Sequence, residues 1–190
     1  MLENLLALVK QHAGEAVVNN PAIPNEQNDA VILETTESIT GGLQNMMASG
    51  GITDVLKMFS GQGGSSVTQN ISAGVVQNLM NKFGLDQSAA SGIAGSLVPG
   101  ILQNLVSQTN DPGNSSFDIQ GIFNSLSGGR TQGLDVQGLL GKVTQGGLDK
   151  DGDGDIDLQD LTAMFNGGAG TQQQVSSGGI LDNLKGLFAQ

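Results

Sequence analysis

Apolar residues recur at three- and four-residue intervals through the first two-thirds of the chain, and no stretch alternates in the manner of a strand. The opening "MLENLLALVKQHAGEAVV" sets Leu5, Leu6, Leu8 and Val9 against Lys10, Gln11 and His12, which predicts an amphipathic helix. "NNPAIPN" follows as a linker with two prolines. Asn25 is then placed to cap a helix carrying Val31, Ile32, Ile39, Leu43, Met46 and Met47, which Gly41-Gly42 is expected to bend and Gly50-Gly51 to end. "ITDVLKMF" is one short helix, stopped by "GQGGSS". The next is marked by Val67, Ile71, Val75 and Leu79, with Val76, Met80 and Phe83 widening the stripe and Gly84 closing it. Asp86 can cap its successor, which carries the small-residue stretch "SAASGIAGS" before Pro99 and then Ile101, Leu102, Leu105 and Val106. Proline in a helix interior lacks the N–H that bonds four residues back, so Pro99 is expected to kink or divide that helix. "TNDPGNSS" is turn-rich and marks the best domain boundary.

Beyond that boundary a short pattern occurs three times. "FDIQGIFNSLSGG" begins at Phe117, "LDVQGLLGKVTQGG" at Leu134 and "IDLQDLTAMFNGG" at Ile156. Each copy has an apolar residue, Asp, an apolar residue and Gln, then a short apolar helix ending at Gly-Gly. Asp118, Asp135 and Asp157 are suited to cap these helices and the glycines to stop them. Three short helices made by one local recipe is the simplest account, since the spacings are unequal, with a true repeated binding unit as the alternative. "GTQQQVSSGG" is a flexible linker by composition, followed by an amphipathic helix through Ile180, Leu181, Leu184, Leu187 and Phe188.

The predicted class is therefore all-α: a multi-helix bundle of short amphipathic helices with a C-terminal EF-hand-type calcium loop. Its expected parts are a helical domain (1–110), glycine-rich short-helix repeats (111–148), the calcium loop with its following helix (149–168), and a linker with a terminal helix (169–190).

Composition limits what such a bundle can do. The 190 residues include 30 Gly and six Phe but no Tyr, Trp or Cys, so the core must be built from aliphatic residues and methionine. The net charge of −11, without a basic patch or an aromatic stacking platform, argues against nucleic acid as a partner. Without cysteine there is no disulfide framework. The N-terminus lacks the basic start and long apolar run of a signal peptide. "AASGIAGSLVPGILQNLV" is interrupted by Ser91, Ser96, Gln103 and Asn104, so no membrane span is expected, and a cytoplasmic location is the default.

The charge is concentrated in "LDKDGDGDIDLQDL" (148–161), which holds six aspartates and Lys150. Carboxylates about 6 Å apart repel by about 0.7 kcal/mol per pair even in water, so a cation is needed to hold them together. Counting Asp149 as position 1, Asp151 falls at 3, Asp153 at 5, Gly154 at 6, Asp155 at 7, Asp157 at 9 and Asp160 at 12. That is the EF-hand ligand pattern. Positions 1, 3 and 5 turn carboxylates inward, Gly154 permits the sharp turn, and position 7 offers its backbone carbonyl, so the Asp155 side chain adds field. Position 9 works through water, and Ile156 at position 8 pins the loop to a core. Hard oxygen donors select Ca²⁺, with Mg²⁺ as the alternative. At position 12 Asp160 is one methylene shorter than the usual Glu, which weakens Ca²⁺ binding and narrows its advantage over Mg²⁺.

Gly146-Gly147 directly precede the loop, so it lacks a long entering helix. A loop followed by a single helix, with Asp at position 12, resembles a dockerin calcium repeat. Dockerins carry two repeats and bind cohesins; this chain has one, so the resemblance implies calcium binding rather than cohesin binding. A second resemblance covers nearly the whole chain. "IPNEQNDAV", "KFGLDQSAASGIAGSLVPGILQNLV", "FDIQGIF", "LDVQGLL" and "LDNLKGLF" are together similar to the YidB-like helical proteins of bacteria, a family of unassigned function. It implies an all-helical fold and a bacterial source, and brings no catalytic residues.

Catalytic patterns are missing from the sequence. His12 is the single histidine and is expected on a polar surface beside Lys10. "IAGSLVPG" lacks the G-x-S-x-G elbow. "GLLGKVT" fails as a phosphate loop at Val136 and Val143, and "GQGGSS" fails as well. The six methionines lie on helix stripes and are expected in the core. The expected function is non-enzymatic: a calcium-binding helical protein whose ion orders the C-terminal region. The alternatives are a calcium-responsive interaction or self-assembly module, with a protein partner or a second copy, and an enzyme of unfamiliar type.

Overall fold

The computed structural model describes residues 2–111, 113–114, 117–129, 131, 133 and 135–144. Residues Met1–Gly147 form one compact unit, distinct from Leu148–Gln190. Among the described residues the regular structure is entirely helical, as expected: α1 (Leu2–Ala13), α2 (Asn28–Ala48), α3 (Ile52–Phe59), α4 (Ser65–Phe83), α5 (Gln87–Thr109), α6 (Ile119–Leu126) and α7 (Val136–Thr144). A single π-helical turn (Gly14–Val18) extends α1, and a 3₁₀ turn (Asn25–Gln27) leads into α2.

The apolar stripes face inward where the periodicity puts them. Leu5, Leu8, Val9 and Ala13 are buried on α1, and Val67, Ile71, Val75 and Leu79 on α4. α2 is central, packing against α1, α3, α4 and α6, while α5 packs against α1, α3 and α4. The largest wholly buried side chains are Phe59 of α3 and Phe123 of α6, whose rings meet edge-on with centroids 5.6 Å apart. Asn110, in the turn after α5, donates through Nδ2 to the Phe59 carbonyl at 3.0 Å.

α3 begins and ends at the expected residues. Gly50 adopts φ 91° before it, and Gly61 and Gly64 adopt φ 75° and 117° after it, conformations that side chains resist. Gly84, at φ 66°, closes α4 by donating its N–H to the Met80 carbonyl at 3.1 Å. Asp86 caps α5, accepting from the Ala89 N–H at 2.8 Å.

The expectations of Asn25 as a helix cap and of Pro99 as a helix break are corrected. Asn25 does not cap α2: it opens the 3₁₀ turn, and the residue preceding α2, Gln27, makes no side-chain cap bond. Gly41-Gly42, expected to bend α2, lies within one continuous helix. A Cβ on Gly42 would stand 3.0 Å from Cγ1 of Ile71, so this glycine admits α4 at close range. Nor does Pro99 divide α5, which runs unbroken through it. Proline at this position withholds the N–H that would bond the Gly95 carbonyl, and both residues are exposed.

α5 is long and apolar enough to cross a membrane by length and composition, and 44% of its most apolar window is buried inside the unit. Ile93, Ala94, Leu97, Val98, Ile101 and Leu105 are each at most 1% exposed, so the apolarity serves the core.

Candidate functional site

The six aspartates expected to bind metal, Asp149, Asp151, Asp153, Asp155, Asp157 and Asp160, lie outside the described residues, as does Ile156. Among the described residues no group of three or more His, Cys, Asp or Glu side chains is placed to hold a metal ion. His12 is exposed, with Nε2 3.1 Å from Nδ2 of Asn104.

Of the two repeat copies that precede the loop, residues 117–129 and 135–144 are described, and the starts of their helices explain the shared pattern. Asp118 precedes α6 in extended conformation and accepts from the Gly121 N–H at 2.7 Å. Asp135 stands in the same relation to α7, accepting from the Gly138 N–H at 2.8 Å. Both bonds satisfy donors that the first helical turn leaves without partners. Glycine at the third position keeps that turn open: a Cβ on Gly121 would lie 3.3 Å from Oδ2 of Asp118, and one on Gly138 would collide with the Asp135 carboxylate. Gly128 and Gly129, at φ 63° and 87°, terminate α6. Removing either cap by Asp118→Ala or Asp135→Ala is expected to cost about 1 kcal/mol, read as a lower denaturation midpoint.

The conserved-looking glutamine of the pattern has a different task. Gln120 Oε1 accepts from the Val136 N–H at 3.1 Å, and its Nε2 reaches the Thr131 carbonyl at 3.5 Å. Thr131 is 3% exposed, and its backbone N–H donates to Ser127 Oγ at 3.1 Å. One copy of the motif thus caps the helix of the next.

A polar cluster that the periodicity left unmarked lies between α2 and α4. Glu34 is buried, and its Oε2 accepts from Lys82 Nζ at 2.5 Å. Oε1 accepts from Ser38 Oγ at 3.3 Å, and Ser38 in turn accepts from Asn78 Nδ2 at 2.8 Å. Thr35 and Thr36, both wholly buried, satisfy their hydroxyls on the carbonyls of Val31 and Ile32 at 2.8 Å. The sequence signal was Glu34 set within a run of buried α2 positions; its partners become visible only once α2 is paired with α4.

The hydrogen bond that Lys82 donates to Glu34 holds its ammonium above the ordinary 10.5; desolvation opposes this, and the charges of Glu34 and Glu37 add to it. A raised folded-state value stabilises the fold fully below 10.5, and that contribution is lost as pH rises through the raised value. Lys82→Met is therefore expected to melt at a lower temperature than wild type near neutral pH. The gap should narrow as pH climbs past 10.5, and a gap independent of pH would rule out the ion pair as its source.

No protein-family model, curated protein or solved structure matches the chain.

Proposed function

We propose that this is a non-enzymatic calcium-binding helical protein in which the ion, held by Asp149, Asp151, Asp153, Asp155, Asp157 and Asp160, orders the C-terminal region. The spacing of those six carboxylates around Gly154 carries the reading, because hard oxygen donors in this register suit Ca²⁺ and repel one another without it. The described repeats lend support. In both, the residue three places after the cap aspartate lies against its carboxylate, and in both it is glycine. The third copy has Asp160 there, so the same recipe, if followed, would set a second carboxylate beside that of Asp157 and call for a cation between them.

The test is hydrogen exchange and light scattering of the full chain, with calcium and with chelator. Calcium is expected to slow exchange in residues 148–168 and leave the mass unchanged. Ile156→Ser should weaken affinity and local protection together, since metal binding and loop folding are linked. A calcium-dependent doubling of mass, abolished by Ile156→Ser, would instead establish a self-assembly module. Asp160→Glu restores the reach for two-oxygen coordination and is expected to raise the preference for Ca²⁺ over Mg²⁺ in competition titrations.

A further inference from the structure

The apolar seam between α2 and α4 does not by itself say how far one helix sits along the other. Val31, Thr35, Ile39 and Leu43 are buried at four-residue spacing on α2, and Val67, Ile71, Val75 and Leu79 at the same spacing on α4. Sliding one helix by four residues therefore sets one stripe against another of nearly the same shape. Gly42, which seats Ile71, would seat Val67 or Val75 as readily. The link before α4 contains Gly61 and Gly64 at positive φ, while Gly84–Asp86 ties α4 closely to α5, so a slide past α2 would carry α4 and α5 together.

The polar pairs are what discriminate. Glu34 meets Lys82 and Ser38 meets Asn78, two consecutive rungs of an antiparallel ladder. One turn in one direction puts Glu34 opposite Asn78 and Ser38 opposite Gly74, leaving a buried carboxylate with no cation. One turn in the other carries Glu34 past the end of α4 toward Asp86, a like charge. We propose that Glu34–Lys82 and Ser38–Asn78 form a register lock, which selects one axial setting of α2 on α4 from several that the apolar seam would accept. Glu34 is buried while Lys82 is 56% exposed, and a part-buried polar pair of this kind commonly adds little net stability beside an apolar replacement, fixing register being its best-attested use.

The chain has no cysteine, so spin labels can be placed without background. Ala30→Cys on α2 and Gln69→Cys on α4 are both at exposed positions. Electron–electron distance measurement on the doubly labelled full chain should give a single population. Adding Glu34→Leu with Lys82→Leu is expected to keep the helix content and produce a second population displaced by about 6 Å, four residues at the helical rise. An unchanged single distance in that variant, or two populations in the unaltered sequence, would overturn the lock. Should the leucine variant lose its helix content, Glu34→Gln with Lys82→Met gives the same reading, because it removes both charges and the donor at position 82 while nearly keeping the side-chain volumes. There too a second population supports the lock and a single unchanged one refutes it.

Discussion

Asp149→Ala is expected to abolish calcium binding, whereas Asp155→Ala weakens it and leaves it measurable. The two differ because of what each position gives the ion. In the proposed loop position 1 would contribute a carboxylate oxygen directly and begin the wrap of the backbone, so its loss would remove a ligand and an anion together. Position 7 contributes a backbone carbonyl that alanine retains, and Asp155→Ala takes away only a nearby negative charge. Removing field at several ångströms should change affinity modestly, because in the proposed site the neighbouring aspartates would still surround the cation and water would screen the rest. Calorimetric titration of the two variants beside the unaltered chain decides it. Equal loss in both would mean that Asp155 binds through its side chain and that position 7 is misassigned.

Phe59→Ala is expected to destabilise the helical unit by about 3–5 kcal/mol, a large share of the roughly 5–15 kcal/mol that holds a domain folded. Phe59 is wholly buried and meets Phe123 edge-on, in a chain whose aromatic side chains are six phenylalanines. Truncation leaves a cavity that rigid helices on several sides cannot collapse to fill, and it strips the partner ring of its contact. Phe83→Ala, at a half-buried position near the end of α4, should cost clearly less. Urea unfolding followed by helical circular dichroism measures both. A loss below about 1 kcal/mol at Phe59 would mean that α3 and α6 share no core.

The helices were legible because their apolar positions follow a period that few other arrangements produce, and because glycine and aspartate mark their ends. Leu79 and Gly84 place the end of α4, and Asp86 the start of α5, without any knowledge of tertiary contacts. Asn25 as a cap and Pro99 as a break were misjudged for a common reason. Local rules describe what a residue favours in an isolated helix, and packing decided otherwise. Gly42 serves Ile71, some thirty residues away in sequence, and Pro99 is tolerated because Gly95 lies outward beneath it. The Glu34 cluster was hidden for a related reason: half of it sits on α2 and half on α4, and one helix alone shows only an acid among buried neighbours. The link at 109–116, expected as a domain boundary, is followed by α6, which sends Phe123 onto Phe59. The repeat pattern was visible as a pattern, but the reach of Gln120 to the start of the next helix was not, since it depends on how α6 and α7 pack. The aspartate loop is the opposite case. Its ligand spacing is wholly local, so the sequence pattern alone supports it.

Calorimetric titration of the full chain with calcium tests the central claim most directly, and needs no aromatic reporter near the loop. One calcium ion per chain, displaced by chelator and lost in Asp149→Ala, is the expected result. Two tight sites per chain, or no heat of binding at millimolar calcium, would contradict it.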